Sequence, residues 1–237
     1  MADYNTTRAS TALPAAADAQ RVTAFLRKVY AWMCAGLGVT AFVAFTVLGS
    51  PTIIRAIASN QLLFFGLFAA ELGLVFFLSA RAPSLAPGAA AGLFVLYSAL
   101  NGVTLSLVLL MYTGASVATT FVVTAGMFGA LALFGSTTTR SLAGAGHFFF
   151  MGLVGLVLAS VVGMFWHSEA LQFLISIVGV IVFTGLTAWD AQRLKQMALA
   201  LPEGQSGSYA VVGALSLYLN FINLFLILLR FSGGRRS

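Results

Sequence analysis

The chain has 237 residues, of which 60% are hydrophobic and only 8% charged, against about 25% charged in soluble domains. That composition excludes a water-soluble globule, and no soluble domain fits anywhere along it. The formal net charge is +6, but the twelve Lys and Arg residues stand singly or in pairs between apolar runs, so there is no basic face for nucleic acid.

The first segment, MADYNTTRASTALPAAADAQR, is polar and Ala-rich. The apolar run after it is too long for a removed signal peptide and lacks a small-residue cleavage site. Residues 1–24 are therefore expected to form a disordered cytoplasmic tail. From there, stretches of about 20 apolar residues recur, the length that crosses a bilayer core of roughly 30 Å. They predict an all-α polytopic membrane protein with seven spans, near 25–48, 61–80, 87–110, 115–135, 146–166, 171–194 and 209–231. One seven-helix domain thus covers 25–231, with a short tail at 232–237. Breakers mark the short connectors: Gly49-Ser50-Pro51, Pro83 with Pro87-Gly88, Thr113-Gly114, Gly144 with Gly146, and the polar loop PEGQSGS at 202–208.

The first span carries the only cysteine, Cys34, so an intramolecular disulfide or a cysteine-rich metal site is excluded. In the second span Glu71 has nine apolar or small residues on either side. An ionisable group costs about 2.5–3.5 kcal/mol at mid-helix, and lining an ion path is the role expected of it, the alternative being a neutral acid hydrogen-bonded to a neighbouring helix. Small residues repeat every four positions at Gly88 and Gly92 in the third span, and at Gly155, Ala159 and Gly163 in the fifth, which predicts close helix contacts there. On the sixth span Ser176, Gly179, Phe183, Thr187 and Asp190 fall along one stripe. On the last, Gly213, Ser216, Asn220 and Asn223 share a narrow arc that Arg230 continues. A polar arc in lipid must face protein, and counting from the span ends puts Asp190 and Asn220 at similar depth, about 7 and 10 Å in.

Orientation follows from basic residues in alternate loops. With the N-terminus inside, the inner side holds Arg8, Arg21, Arg27, Lys28, Arg81, Arg140, Arg193 and Lys195, and the outer loops before the C-terminus hold only Arg55. Arg230, Arg235 and Arg236 would then lie outside, unless the last segment is re-entrant and returns to the cytoplasm. Arg outnumbers Lys ten to two in an Ala- and Gly-rich chain, as in GC-rich bacterial genomes, which points to a bacterial inner membrane.

Three segments carry a resemblance. TGLTAWDAQRLK at 184–195, ALSLYLNFINLFLILLRF at 214–231 and MYTGASVATTFVVTAGMFGALALFGSTTTRSL at 111–142 are similar to the signature regions of the Bax inhibitor-1 family, the transmembrane Bax inhibitor motif proteins. The resemblance implies a seven-helix fold with the last helix central, and a calcium leak controlled by pH. It also implies a pH sensor and gate at the cytoplasmic mouth, where a pair of aspartates on the last two helices shares a proton and an arginine of the second helix can pair with it. Asp190 matches the first aspartate, Asn220 stands where the second is often found, and Arg81 stands about a residue from the arginine. Glu71 resembles the family's mid-membrane glutamate; with Thr187, Ser216 and Asn223 it makes up the expected ion pathway.

Asn220 is the main departure. Two carboxylates in contact cannot both ionise cheaply, so such a pair holds one proton into the physiological range. Asp190 opposite an amide titrates as a single site, and pH control is expected to be weaker or displaced. Calcium prefers six to eight oxygen ligands, so Asp190 would bind it only weakly and transiently, as a permeant ion rather than a cofactor. No GxxxxGK loop is present to drive a pump. The GQSG at 204–207 imitates an intramembrane protease motif, but no histidine follows Ser206 to activate it; His147 and His167 lie upstream at span ends, read as inner and outer. A retinal protein would need a lysine within the last helix, and Lys28 and Lys195 are the only lysines. No enzyme activity and no cofactor are expected. The rival reading is a non-conducting interaction protein that restrains a membrane protease or stress-response partner within the bilayer.

Overall fold

The computed structural model describes residues 4–81, 84–166, 168–202 and 206–234, with the backbone alone described for 4–16 and Met164. Pro83, His167, residues 203–205 of the polar loop, Arg235 and Arg236 lie outside the described residues, as do the side chain of Arg8 and the end of the 232–237 tail. Among the described residues there are eight helices: α1 Tyr4–Leu48, α2 Pro51–Ser59, α3 Gln61–Arg81, α4 Pro87–Leu109, α5 Gly114–Thr137, α6 Ala143–Phe165, α7 Glu169–Ala200 and α8 Ser206–Ser232. Seven of them, all but α2, are long and apolar enough to cross a membrane. In hydrocarbon every backbone N–H and C=O must be paired internally, which is why uninterrupted apolar runs become helices here.

Chain breaks fall where local chemistry favours them. Pro51 and Pro87 open α2 and α4 at positions whose N–H has no helical partner. The Thr113 hydroxyl accepts from Ser116 N at 3.3 Å to cap α5, and Ser168 Oγ accepts from Leu171 N at 3.4 Å to cap α7. Two elements differ from the sequence expectation. Helix α1 begins at Tyr4, so the backbone of the segment read as a disordered tail is helical from there on, an extension favoured by its high alanine content. The connector after Gly49 contains α2, whose Ile57 is buried while Arg55 is exposed.

Helix α8 is the axis of the bundle. In its most apolar stretch 67% of residues are buried, against 11% in α3 and α6, and it packs against α1, α3, α4, α5 and α7. The main core gathers on it: Phe94 of α4 and Phe128 of α5 meet Tyr218 and Phe221 of α8 edge-on, at centroid separations of 5.7 and 5.5 Å. A smaller cluster of Leu156, Val182, Phe183 and Leu224 joins α6 and α7 to α8.

The predicted small-residue contacts hold in part: Gly163 of α6 is buried, a Cβ there meeting Gln172 and Ile175 of α7 at 3.4 and 3.7 Å, and Ala159 packs on the cluster between α6, α7 and α8. A side chain at Gly88, Gly92 or Gly155 would meet nothing within 4 Å. The close approaches lie elsewhere, where backbones touch. A Cβ at Gly102 of α4 would sit 2.7 Å from the Thr40 carbonyl of α1, and one at Gly135 of α5 would overlap the Ala188 carbonyl of α7.

Helix α8 crosses the bundle completely. Beyond it, Gly234 N donates to Ser116 Oγ at 2.9 Å and Thr113 N donates to Gly234 O at 3.1 Å, which pins Gly234 against the turn between α4 and α5. A re-entrant last segment is thereby ruled out. One end of the bundle carries Arg27, Lys28, Arg81, Arg140, Arg193 and Lys195 and is called the basic end below; Arg55 and Arg230 lie at the far end.

Candidate functional site

Near the basic end α7 and α8 present one polar residue each to their shared interface. Asp190 is 7% exposed and Asn220 6%, and Asn220 Nδ2 donates to Asp190 Oδ2 at 2.8 Å. The bond follows from helical periodicity: each residue belongs to a polar stripe on an otherwise apolar helix, and burying both stripes against each other removes both from lipid. On the Asp190 stripe, Thr187 is fully buried and Ser176 nearly so. Each returns its hydroxyl to its own helix, Thr187 Oγ1 to Phe183 O at 2.7 Å and Ser176 Oγ to Gln172 O at 2.9 Å. On the α8 arc Ser216 and Asn223 are half-buried.

The cation beside Asp190 is Arg193, one turn along α7, with Nη1 at 3.8 Å from Oδ1. Its guanidinium also lies over the Trp189 ring, 5.3 Å from the centroid. The side chain of Arg193 is 42% exposed where that of Asp190 is 9%, so the pair runs from buried anion to solvated cation. Arg81, expected in this role, is exposed at the end of α3 and makes no ion pair among the described residues. The physical reason is packing: α8 and α4 are the membrane helices that α3 meets, and Arg193 reaches Asp190 from the same helix.

Two further α7 side chains hold the turn between α5 and α6 against this site. Gln192 Oε1 accepts from Leu142 N at 2.7 Å while its Nε2 donates to Arg140 O at 2.8 Å. Lys195 Nζ donates to Ser136 O at 2.9 Å. Polar side chains in AWDAQRLK thus divide into a gate candidate, its cation and a clamp, a division that the sequence alone does not display.

Glu71 belongs to a second cluster. Thr104 Oγ1 donates to Glu71 Oε1 at 2.8 Å and Asn101 Nδ2 to Oε2 at 3.4 Å. Tyr218 OH donates to Asn101 Oδ1 at 3.0 Å and lies 2.6 Å from Thr40 Oγ1, which donates to Ser98 O at 2.9 Å. Four helices, α1, α3, α4 and α8, are tied by this chain. Tyr218 and Asn220 are two residues apart on α8, about 200° around the helix, so Glu71 and Asp190 lie on opposite sides of it. The expected single pathway through both acids is therefore not the arrangement found: each acid is hydrogen-bonded to its own partners, with the central helix between.

Among the described residues no group of three or more His, Cys, Asp or Glu comes together as a metal site. His147 is exposed, its Nδ1 2.8 Å from Ala143 O and its ring 6.4 Å from Trp189. Ser206 opens α8 and accepts from Lys28 Nζ, an exposed side chain, at 3.3 Å.

Residues 22–237 match the family described as inhibitor of apoptosis-promoting Bax1. The chain belongs to the Bax inhibitor family. Its relatives include the inner membrane protein YbhL of Escherichia coli K12, 49% identical over 215 residues that cover 90% of this chain and 92% of the relative. An uncharacterized protein of Borreliella burgdorferi is 44% identical over 90% of this chain and 93% of its own length. Another from Rickettsia prowazekii, RP147, is 37% identical over the full length of both.

This Bax inhibitor family member places an aspartate and an asparagine at the α7–α8 contact. Sequence reasoning found that pair and missed the clamp residue Gln192 and the Tyr218–Asn101–Thr104 chain around Glu71. The signal for the latter was available: Asn101 and Thr104 are polar residues one turn apart within an apolar span.

Proposed function

We propose that this Bax inhibitor family protein is a calcium leak pathway of the bacterial inner membrane, closed at its basic end by Asp190 and responsive to pH. The observation that carries the reading is the 2.8 Å bond from Asn220 Nδ2 to Asp190 Oδ2 at a buried contact between the last two helices. A carboxylate held by an amide donor and by Arg193 joins α7 to α8 while it is ionised. Protonation removes its attraction to Arg193 and its strength as an acceptor. The latch is thus present above the titration of Asp190 and lost as pH falls through it, so acidification opens the path. The family's proton-sharing acid pair is replaced by a single acid, and the response is correspondingly shallow.

Calcium passes as a hydrated or partly hydrated ion, held only transiently by Asp190. Thr187, Ser216 and Asn223 line the route on this face of α8; Glu71 braces α3 against α4 on the opposite side. By the positive-inside rule the basic end is cytoplasmic, with the N-terminus inside and the C-terminus outside. The printed location of the Escherichia coli relative supports the inner membrane.

The test is calcium flux through purified protein in liposomes between about pH 5 and pH 8. Flux that rises with acid in the wild type, loses its pH dependence in Asp190→Asn and titrates more steeply in Asn220→Asp supports the reading. A steep response abolished by Asp190→Asn yet insensitive to Asn220→Asp refutes the single-acid argument, and absence of flux at every pH leaves the non-conducting interaction protein in its place.

A further inference from the structure

At the far end, away from Asp190, a cavity of about 1050 Å³ opens between the end of α4, the first two turns of α7 and the last turns of α8. Its walls differ in kind. Ser168, Glu169, Gln172 and Arg230 form a polar wall, and Val108, Met111, Phe173 and Phe231 line it with apolar surface.

The polar wall holds one anion and one cation that do not neutralise each other. Arg230 Nη1 donates to Gln172 Oε1 at 3.2 Å, which leaves most of its five donors for a ligand. Glu169 lies one turn before Gln172 on the same face of α7 and is exposed. Among the described residues the one ion pair is that of Asp190 with Arg193, so neither Glu169 nor Arg230 takes part in one. A cavity presenting a guanidinium and a carboxylate side by side, separated by an amide, matches a molecule that carries a phosphate and an ammonium a few bonds apart.

The apolar wall shows where such a molecule comes from. Phe173 and Phe231 stack at 5.9 Å and are 56% and 57% exposed, and Met111 is equally open at 57%. Phe173 and Phe231 belong to α7 and α8, helices long and apolar enough to cross a membrane, and Met111 to the turn that follows α4. Glu169 begins α7 and Arg230 lies two residues from the end of α8, which sets the charges at the membrane interface. Ser176, which also lines the cavity, lies seven residues further along α7, about 10 Å deeper. The cavity therefore spans from headgroup level into the region of the upper acyl chain. A soluble zwitterion would use its polar half and leave the open aromatic rim unexplained.

We propose that this cavity binds a zwitterionic phospholipid with a primary amine headgroup, its phosphate on Arg230, its ammonium on Glu169 and Ser168 Oγ, and an acyl chain along Phe173 and Phe231. The primary amine is specified because a carboxylate and a hydroxyl accept hydrogen bonds, which an ammonium donates and a quaternary amine cannot.

The experiment is native mass spectrometry of the purified full chain, released from detergent containing equal amounts of phosphatidylethanolamine, phosphatidylcholine and phosphatidylglycerol. The wild type is expected to retain the ethanolamine lipid in preference to both others. Glu169→Gln is expected to lower that preference about tenfold, and Arg230→Gln to lower retention of all three by a similar factor. Both residues are exposed, so thermal unfolding of each variant should match the wild type; should Arg230→Gln fail to fold, Glu169→Gln alone decides the amine assignment. Stronger retention of the glycerol lipid identifies an anionic-lipid site and overturns the proposal, as does equal retention of the choline lipid. Identical adducts in wild type and Glu169→Gln also overturn it, marking the cavity as an open vestibule. Displacement of the lipid by soluble phosphoethanolamine at the same concentration refutes the lipid assignment in favour of a small-molecule site.

Discussion

Replacing Asn220 by Leu keeps the branched heavy-atom outline at the α7–α8 contact and removes the one donor that reaches Asp190 from α8. A hydrogen bond to a charged group contributes about 1.5–3 kcal/mol net, and the remaining partner, Arg193, stands 3.8 Å away with its side chain 42% exposed, so solvent screens it. If the bond exists only while the path is closed, its loss shifts the closed-to-open ratio roughly ten- to a hundredfold, since 1.4 kcal/mol is a factor of ten. The assay is calcium entry into proteoliposomes reported by an entrapped dye, with wild type and Asn220→Leu reconstituted at matched density. Neutral pH should show the full increase in leak. On acidification Asp190 is protonated in the wild type as well, the charge-assisted bond is lost there too, and the two curves should converge. An unchanged leak at neutral pH, or the same ratio at every pH, would refute the reasoning that an ionised Asp190 held by Asn220 is the latch.

Three other perturbations probe the same frame. Arg193→Gln should shift the pH profile of flux, whereas Arg81→Gln, at an exposed residue without an ion pair among the described residues, should leave the profile in place; the reverse result would restore the second-helix arginine to the gate. Gly135→Ala places a methyl group against the Ala188 carbonyl and should destabilise the protein by about 1–3 kcal/mol, read as a lower thermal unfolding temperature in detergent, with an unchanged temperature showing that α5 and α7 are not in backbone contact. Tyr218→Phe removes the hydroxyl shared with Thr40 and Asn101 and should cost about 1–2 kcal/mol; no loss in unfolding temperature would mean that this hydroxyl contributes nothing to holding α8 against α1 and α4.

Much of this architecture is written in the sequence because a bilayer punishes ambiguity. An apolar run of sufficient length must be a helix, so the six spans from α3 onward begin and end within about three residues of the expected positions, except that α7 runs on from 194 to Ala200, and α1 ends where expected. Asp190 and Asn220 were legible for a related reason: each is a polar residue on a stripe, and lipid leaves such a stripe no favourable place except against protein. What failed to show were the choices made by packing. By spacing alone Arg81 and Arg193 both end a span near the depth of Asp190, and the decision falls to the helices that surround α3. Small-residue spacing at Gly88, Gly92 and Gly155 looked like contact but faces open space, because removing a side chain permits a close approach without compelling one. Helix α2 was hidden by its length of nine residues between the breaker Gly49-Ser50-Pro51 and the next span, where an amphipathic turn and a loop have similar compositions.

The placement of Tyr218 and Asn220 on opposite sides of one helix has a mechanical corollary. A spindle with a tooth on each flank cannot turn at one without turning at the other. With side-chain tips at a radius of about 5–6 Å, a twist of ~20° carries each tip some ~2 Å, more than enough to sever a 2.8 Å bond. Any event that breaks the bonds of Tyr218 to Asn101 and Thr40 and so frees α8 to turn would be felt at Asp190 without a relay of intervening side chains, and the converse would hold equally.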